Sequence, residues 1–277
     1  MAAARRGLLH ALLTGGVLLM IYPLVWMLGA SLKPAAEVVA NPGLLPAEPT
    51  LDNYRLGWTA LRVPFSGFFI NSVVLCGLAA LGNVSSCSLA AFAFARLRFP
   101  LKRVLFGLML LTIMLPFQAT IVPQYILFLK LGWVGSMLPI LAPKFLAVDT
   151  FFVFLLVQFI RGIPTALDDA AAIDGCGPFR TFRSIILPLL TPALATTAVF
   201  TFIWTWNDFF AQLLYLGNSL DTYTVPVALR AFVDSSGFAS WGQMLAMCAV
   251  SLVPIFALFL AFQRLLLEGI STVGLRG

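Results

Sequence analysis

The sequence predicts an all-α membrane protein with six transmembrane helices. Its 277 residues are 61% apolar and only 10% charged, whereas a soluble domain carries roughly 25% charged residues. Six apolar stretches of about 20 residues or more take up most of the chain, and each is long enough to cross the hydrocarbon core of a bilayer. The stretches are too long and too evenly apolar for strands. This composition excludes a soluble enzyme and a disordered chain.

Each stretch is expected to form one span, and the spans follow one another in the order 8–31, 66–95, 104–128, 136–160, 185–208 and 240–263. The latter half of the second is rich in small residues, which let helix backbones approach closely in lipid. The third contains Pro116 and Pro123, and proline kinks or breaks a helix. The fourth contains Lys144 and Asp149, whose separation of five residues is poor for pairing along a helix. These two charges are therefore expected either to pair within the span, to reach its outer edge or to have other partners.

The distribution of basic residues predicts that both termini are cytoplasmic. Eleven of the 17 Lys and Arg residues then lie inside, including the cluster Arg96–Arg103 in a short loop. The net charge of +6 forms no stripe, which argues against nucleic-acid binding. The whole chain, 1–277, is expected to be one domain. It includes an extracytoplasmic loop, 31–62, with a short helix near Asp52–Leu56, and a cytoplasmic loop, 161–183.

The cytoplasmic loop has the local signals of a short helix. Thr165 is a candidate N-cap, with Asp168 three residues later in a weak capping box. Asp168 and Asp169 stand in the first turn, where the helix dipole favours anions. Ala170–Ala172 are strong helix formers, and Gly175 can adopt the left-handed conformation that ends a helix. These signals predict a stiff helix of about two turns, and by themselves they are equally compatible with an ordinary surface helix.

The same loop resembles the "EAA" loop of the integral-membrane permease subunits of ATP-binding-cassette importers. The loop motif and four other segments are similar to the carbohydrate-uptake branch of that family, the maltose and multiple-sugar type. The matching segments are Asp169-Ala-Ala-x-x-Asp-Gly175 with Phe179, Phe182, Ile186, Leu187-Pro188 and Pro192, then Ser31–Pro34, Pro49–Tyr54, Trp204–Asp208 and Glu268–Gly277. Five residues depart from the pattern. Asp169 replaces the usual Glu, Cys176 the usual Ala and Arg276 the usual Lys, and Val273 and Leu275 stand where smaller or different residues are common.

The resemblance implies a type I importer permease fold, with a cytoplasmic coupling helix between transmembrane helices 4 and 5. It implies half of a translocation pathway for a sugar, delivered by an external solute-binding protein. The implied partners are a second, homologous permease subunit and two copies of an ATPase in a bacterial-type inner membrane. ATP and Mg²⁺ would belong to the ATPase, since this chain lacks the phosphate-binding motif GxxxxGK[ST] and is not expected to be an enzyme. The residues implied in coupling are Asp168, Asp169, Ala170, Ala171, Asp174 and Gly175.

Four polar or aromatic residues are candidates for lining the pathway. Gln118 lies between the two prolines of the third span, and Trp206, Asn207 and Asp208 lie at the end of the fifth. An acidic residue in a span is costly and often functional. Asp208 is also compatible with a cap at the membrane interface, where the neighbouring Trp residues would form an aromatic belt.

Two other functional classes fit the sequence less well. A secondary, ion-coupled transporter is the main alternative, and it would carry charges at the bilayer midplane or inverted halves. A membrane-embedded enzyme would need His, Asp or Glu clustered at one depth, but the chain has a single His. The four Cys residues have no spacing typical of metal ligands, so no metal site is expected.

Overall fold

The computed structural model describes residues 2–217, 219–236 and 241–274, and this part of the chain contains helices and no strands. The predicted all-α fold class is confirmed. The α-helices, numbered α1 to α15 in chain order, are Ala2–Ser31, Ala35–Ala40, Asp52–Trp58, Phe65–Arg96, Lys102–Thr112, Phe117–Lys130, Leu138–Phe145, Thr150–Gly162, Ala166–Ile173, Pro178–Thr181, Leu187–Leu189, Thr191–Asn207, Phe209–Leu216, Val225–Ser236 and Trp241–Gly274.

The helices provide between four and six membrane spans. Four segments are long and apolar enough to cross a bilayer, and two bent helix pairs bring the total to six if each pair counts as one span. Their positions follow the six predicted stretches. The segments are Arg6–Ser31, Phe65–Arg96, Leu138–Gly162 and Trp241–Arg264, and the pairs are Lys102–Thr112 with Phe117–Lys130 and Pro178–Leu189 with Thr191–Asn207.

Proline accounts for the bend in the first pair. Helix α5 ends at Thr112, and α6 begins after Pro116, which occupies the N-cap position. The two helices are bent by 102°. A proline lacks the N–H group needed to continue the hydrogen-bond ladder, so the apolar stretch is divided into two helices. The expected break at Pro116 is confirmed, while Pro123 lies inside α6.

By contacts the chain divides into two compact units. The first comprises Met1–Phe69 and Val225–Pro254, and the second comprises Ile70–Thr224 and Ile255–Gly277. The first unit contains the predicted outer loop, where the short helix expected near Asp52–Leu56 is α3. The loop also contains α2, a helix that was not predicted from the sequence.

Two of the segments behind the family resemblance pack together in the first unit. The amide of Asn53 donates to the carbonyl oxygens of Ser31 at 2.8 Å and Lys33 at 2.7 Å. The Lys33 side chain is fully buried, and its Nζ donates to the carbonyls of Asn41 at 2.6 Å and Gly43 at 2.5 Å. Lys33 thus closes the loop that follows α1, because its ammonium donates to two carbonyl groups that accept no hydrogen bond within a helix.

Replacing Lys33 with Met is expected to destabilise the first unit. The variant keeps the apolar stem but leaves two carbonyl groups without their donor, at a cost of about 2 kcal/mol. We expect the melting temperature of the purified protein to fall by about 5 °C. Lys130→Met, at an exposed position at the end of α6, is the control. Equal melting temperatures for the two variants would contradict this role for Lys33.

In the second unit, α4 packs against α8 through small residues, as its composition predicts. Cys87 and Ala91 of α4 are fully buried, as are Phe152, Leu156 and Ile160 of α8, which recur every four residues on one helix face. Small residues on α4 let the two helices approach closely. Helix α4 thereby becomes the scaffold on which the candidate site is built.

The Glu268–Gly277 segment of the resemblance falls largely outside this description. Its backbone is described as far as Gly274, as the end of α15, and nothing is described of its side chains.

Candidate functional site

The predicted helix of loop 161–183 is present as α9. Helix α8 ends at Gly162, and Ile163 takes an extended conformation with φ −79° and ψ 130°. The extended conformation is the one favoured before a proline, here Pro164. Eight residues of helix follow, Ala166–Ile173, with Asp168 and Asp169 in the first turn.

The C-terminal end of α9 is a Schellman motif centred on Gly175. Gly175 has φ +74°, in the left-handed region. Its N–H donates to the carbonyl of Ala172 at 3.1 Å, and the N–H of Cys176 donates to the carbonyl of Ala171 at 2.9 Å. These two bonds satisfy carbonyls that a helix end otherwise leaves unpaired. The prediction that Gly175 ends the helix is confirmed.

The predicted capping box at the N-terminal end is wrong. Thr165 occupies the N-cap position, but its side chain makes no capping hydrogen bond, and its backbone is already helical at φ −67° and ψ −20°. An N-cap side chain reaches the first-turn N–H groups from an extended backbone conformation. Asp168, the expected partner in the box, instead pairs with an arginine of another helix.

That arginine is Arg96, the last residue of α4, and it holds α9 in place. Its Nε lies 2.9 Å from Asp168 Oδ2, outside hydrogen-bond alignment, so this contact is an ion pair. Its Nη2 donates to the carbonyl of Ile163 at 2.6 Å. The two side chains are only 10% and 23% exposed, which limits screening by water. Arg96 therefore connects the end of α4 both to the segment that enters α9 and to its first turn.

An open cleft of about 610 Å³ lies between α9 and the end of α4, and the Arg96–Asp168 ion pair bridges it. Arg96 and Arg98 line it on the α4 side, and Asp168, Asp169 and Cys176 line it on the other. The basic loop Arg96–Arg103 and the loop 161–183 therefore lie at the same end of the second unit.

The residues of α9 and of the turn that ends it divide into an inner and an outer set. Ala171 is 2% exposed and packs inward, and Asp168 is half-buried by Arg96. Asp169, Ala170, Asp174 and Gly175 are exposed. Of the six residues implied in coupling, four are thus available to a partner, and two attach the helix to its own unit.

Two exposed apolar side chains flank the outer set. Ile173, in the last turn of α9, is 86% exposed, and Phe179, in α10, is 68% exposed. Large apolar side chains grouped with acidic ones on an exposed knob are typical of a protein-binding surface. Phe179 follows Gly175 in the family motif but was given no role there, and Ile173 was not predicted, because an isolated Ile in an apolar chain carries no signal.

The four pathway candidates lie in different surroundings. Trp206 is buried, and its ring is stacked with that of Phe202 at 5.6 Å. Asp208 caps α13, with Oδ1 accepting from the N–H of Ala211 at 3.1 Å. Gln118 and Asn207 are exposed.

The structure gives one link between the third-span candidate and the other three. The rings of Phe117 and Phe210 meet edge to face at 6.4 Å. Phe117 precedes Gln118, and Phe210 follows Asp208 by two residues, so the start of α6 lies beside the start of α13.

The described residues hold no arrangement suited to a metal ion. No three His, Cys, Asp or Glu side chains come together at ligand distance in this part of the chain. All four Cys residues are free thiols, and Cys76 and Cys87 are buried in α4.

The chain belongs to the family of inner-membrane components of binding-protein-dependent transport systems, whose model matches residues 86–272. That range contains the loop 161–183 together with α5 to α14. The resemblance to carbohydrate-uptake permeases of ATP-binding-cassette importers is confirmed, and the chain is a multi-pass membrane permease.

Individual relatives match over nearly their whole length. A trehalose/maltose transport permease of Thermococcus litoralis is 31% identical, over 96% of each chain. A trehalose transport permease of Mycobacterium tuberculosis is 33% identical over 97% of this chain and 96% of the relative. An sn-glycerol-3-phosphate transport permease of Salmonella typhimurium is 32% identical, over 96% of this chain and 97% of the relative.

A solved structure has the same fold. It is a chain of a bacterial ABC transporter that imports the acidic polysaccharide alginate, with a TM-score of 0.84, 21% identity and coverage of 95% of this chain and 97% of that one.

Proposed function

We propose that this chain is the permease subunit of an ATP-driven importer, forming half of the translocation pathway for a sugar delivered by an external solute-binding protein. A separate ATPase drives it through α9. Two of the similar permeases named above are trehalose or maltose transport permeases, and this supports a sugar as the cargo.

The observation that carries the proposal is the construction of α9. The helix is short, its C-terminal end is closed at Gly175, and the Arg96–Asp168 ion pair ties it to α4. Its exposed surface combines acidic groups with Ile173. A rigid knob with these properties can transmit a displacement of the ATPase to α4 and α8 as rigid-body motion.

We place α9 and both termini in the cytoplasm. The basic loop Arg96–Arg103 lies at the same end of its unit as α9, and short loops rich in Lys and Arg stay on the cytoplasmic side. The outer loop 31–62 then faces the solute-binding protein.

The proposed assembly contains this chain, a second homologous permease and two ATPase copies. ATP and Mg²⁺ are bound by the ATPase copies, and this chain contributes mechanical coupling and pathway surface. Gln118, Trp206, Asn207 and Asp208 are assigned to the pathway region. Gln118 and Asn207 are exposed, which supports their assignment to the pathway surface. Trp206 and Asp208 would stabilise the pathway wall, Trp206 by stacking on Phe202 and Asp208 by capping α13.

One feature favours the alternative of an ion-coupled transporter. Lys144 and Asp149 form a charge pair at a helix break within a span, and such features are typical of secondary transporters. Membership in a binding-protein-dependent family weighs against this alternative. Solute uptake that persists when the ATPase carries a hydrolysis-blocking substitution, and that stops with an ionophore, would establish it.

Replacing Asp169 with Lys tests the coupling role directly. We expect the ATPase recovered with the tagged permease pair to fall about tenfold, because a like-charge contact at an interface costs more than 1 kcal/mol. Glu48→Lys, an equal charge reversal at an exposed position of the outer loop, is the matched control and should leave recovery unchanged. Full ATPase recovery with a folded Asp169→Lys protein would refute the coupling assignment.

A further inference from the structure

A charge pair lies at the middle of the fourth predicted span, where the helix is interrupted. Helix α7 ends at Phe145 and α8 begins at Thr150. Between them Ala147 has φ +55°, a left-handed conformation that a residue with a side chain seldom adopts. The break brings Lys144 Nζ to 2.6 Å from Asp149 Oδ2, a contact that five residues of continuous helix would prevent.

Helix α4 holds the pair, and α12 supports it indirectly through Asn83. The amide of Asn83 donates to Asp149 Oδ2 and, at 3.0 Å, to Thr201 Oγ1. Both Asn83 and Thr201 are fully buried. Ser86, one turn further along α4, donates to the carbonyl of Lys144 at 2.6 Å and accepts from the N–H of Ala147 at 3.2 Å. The interrupted backbone is thus fixed by side chains of its neighbours.

The pair retains unused hydrogen-bonding capacity. Both Lys144 and Asn83 bond to the same oxygen, Oδ2, of Asp149. Among the described residues, Asp149 Oδ1 has no donor, and the ammonium of Lys144 has one acceptor for its three N–H groups. The side chains of Lys144 and Asp149 are 21% and 31% exposed, so they reach accessible space.

These groups match a neutral, hydroxyl-rich molecule. A sugar hydroxyl both donates and accepts hydrogen bonds, so it can pair with Oδ1 and with a free N–H of the ammonium. The carboxylate of Asp149 neutralises the ammonium of Lys144, which alone would attract an anionic group such as a phosphate. Ionisable groups inside a span are costly and are commonly retained for function.

We propose that Lys144 and Asp149 form a contact site of this subunit for a neutral polyhydroxylated solute in transit, and that Asp149 disfavours anionic solutes. The inference rests on the proposed function and goes further by assigning direct solute contact to this chain and a charge class to the solute.

Uptake into proteoliposomes containing the complete importer tests this assignment. The probes are radiolabelled trehalose, maltose and sn-glycerol 3-phosphate, each presented with the solute-binding protein. We expect the wild-type assembly to take up a neutral sugar and not the phosphate ester. Preferential uptake of the phosphate ester would overturn the proposal.

Two variants separate solute contact from a structural role. Asp149→Asn is expected to lower sugar uptake at least tenfold and to raise uptake of the phosphate ester relative to the sugar. Lys144→Gln combined with Asp149→Asn removes both charges together, so that neither is left unpaired in the span. This double variant should lose sugar uptake while keeping ATP hydrolysis stimulated by the binding protein within twofold of wild type. If the Asp149→Asn variant does not assemble, this double variant alone distinguishes solute contact from a structural role.

Thr201→Val is the matched control, because it removes a neighbouring hydrogen bond and leaves the charge pair intact. If the variants of Lys144 and Asp149 lose uptake and ATP hydrolysis in proportion, with an unchanged ratio of sugar uptake to phosphate-ester uptake, the pair has only a structural role. A wild-type assembly that takes up sugar without ATP hydrolysis would instead refute the proposed function.

Discussion

Replacing Arg96 with Met should uncouple ATP hydrolysis from transport. The variant loses the ion pair with Asp168 and the hydrogen bond to the carbonyl of Ile163. A half-buried carboxylate is then left without its partner, which costs about 3 kcal/mol. Because α9 would no longer be tied to α4, we expect at least a tenfold fall in the stimulation of ATP hydrolysis by loaded binding protein, with basal hydrolysis unchanged.

Arg98→Met is the control for this effect. Arg98 lines the same cleft but forms no ion pair among the described residues. Combining Arg96→Met with Asp168→Asn should cost less than the sum of the single changes, since each removes the same interaction. Equal stimulation in the Arg96 and Arg98 variants would exclude a coupling role for the ion pair.

Replacing Gly175 with Pro should abolish productive docking of the ATPase. Proline requires φ near −65° and has no N–H, whereas Gly175 has φ +74° and donates to Ala172. The Schellman motif cannot form, and α9, a helix of only eight residues, is destabilised by about 3 kcal/mol or more. We expect ATPase recovery to fall more than tenfold while the permease pair still assembles.

Gly177→Ala is the matched control, two residues away. Gly177 has φ −72°, and an added Cβ there would meet no atom within 4 Å. Normal ATPase recovery with Gly175→Pro, or an equal loss with Gly177→Ala, would show that the geometry at Gly175 does not govern docking.

Features that depend on local chain chemistry could be predicted from the sequence. The end of α9 at Gly175, the break at Pro116 and the short helix α3 follow from glycine, proline and a helix start, each acting within a few residues. The fold class follows from composition in the same way. The family resemblance supplied the functional assignment, which local physics left open between a coupling helix and an ordinary surface helix.

Features that depend on tertiary contacts could not be predicted. Nothing near Arg96 in the chain indicates that its partner is Asp168, 72 positions later, and that ion pair replaces the predicted capping box. The break at Ala147 carries no glycine, and it is held by Ser86 of α4. The sequence did not decide whether Lys144 pairs with Asp149, because five residues along a continuous helix is a poor spacing for an ion pair. The helix break between them brings the two side chains together.

Photo-crosslinking from Ile173 tests whether α9 docks on the ATPase. A photoreactive amino acid at this position, 86% exposed at the tip of α9, is predicted to crosslink to the ATPase in the assembled importer. The matched control is Leu45 in the outer loop, which is also apolar and is 81% exposed, and it should give no ATPase adduct. An adduct between position 173 and the solute-binding protein, with none to the ATPase, would contradict the account.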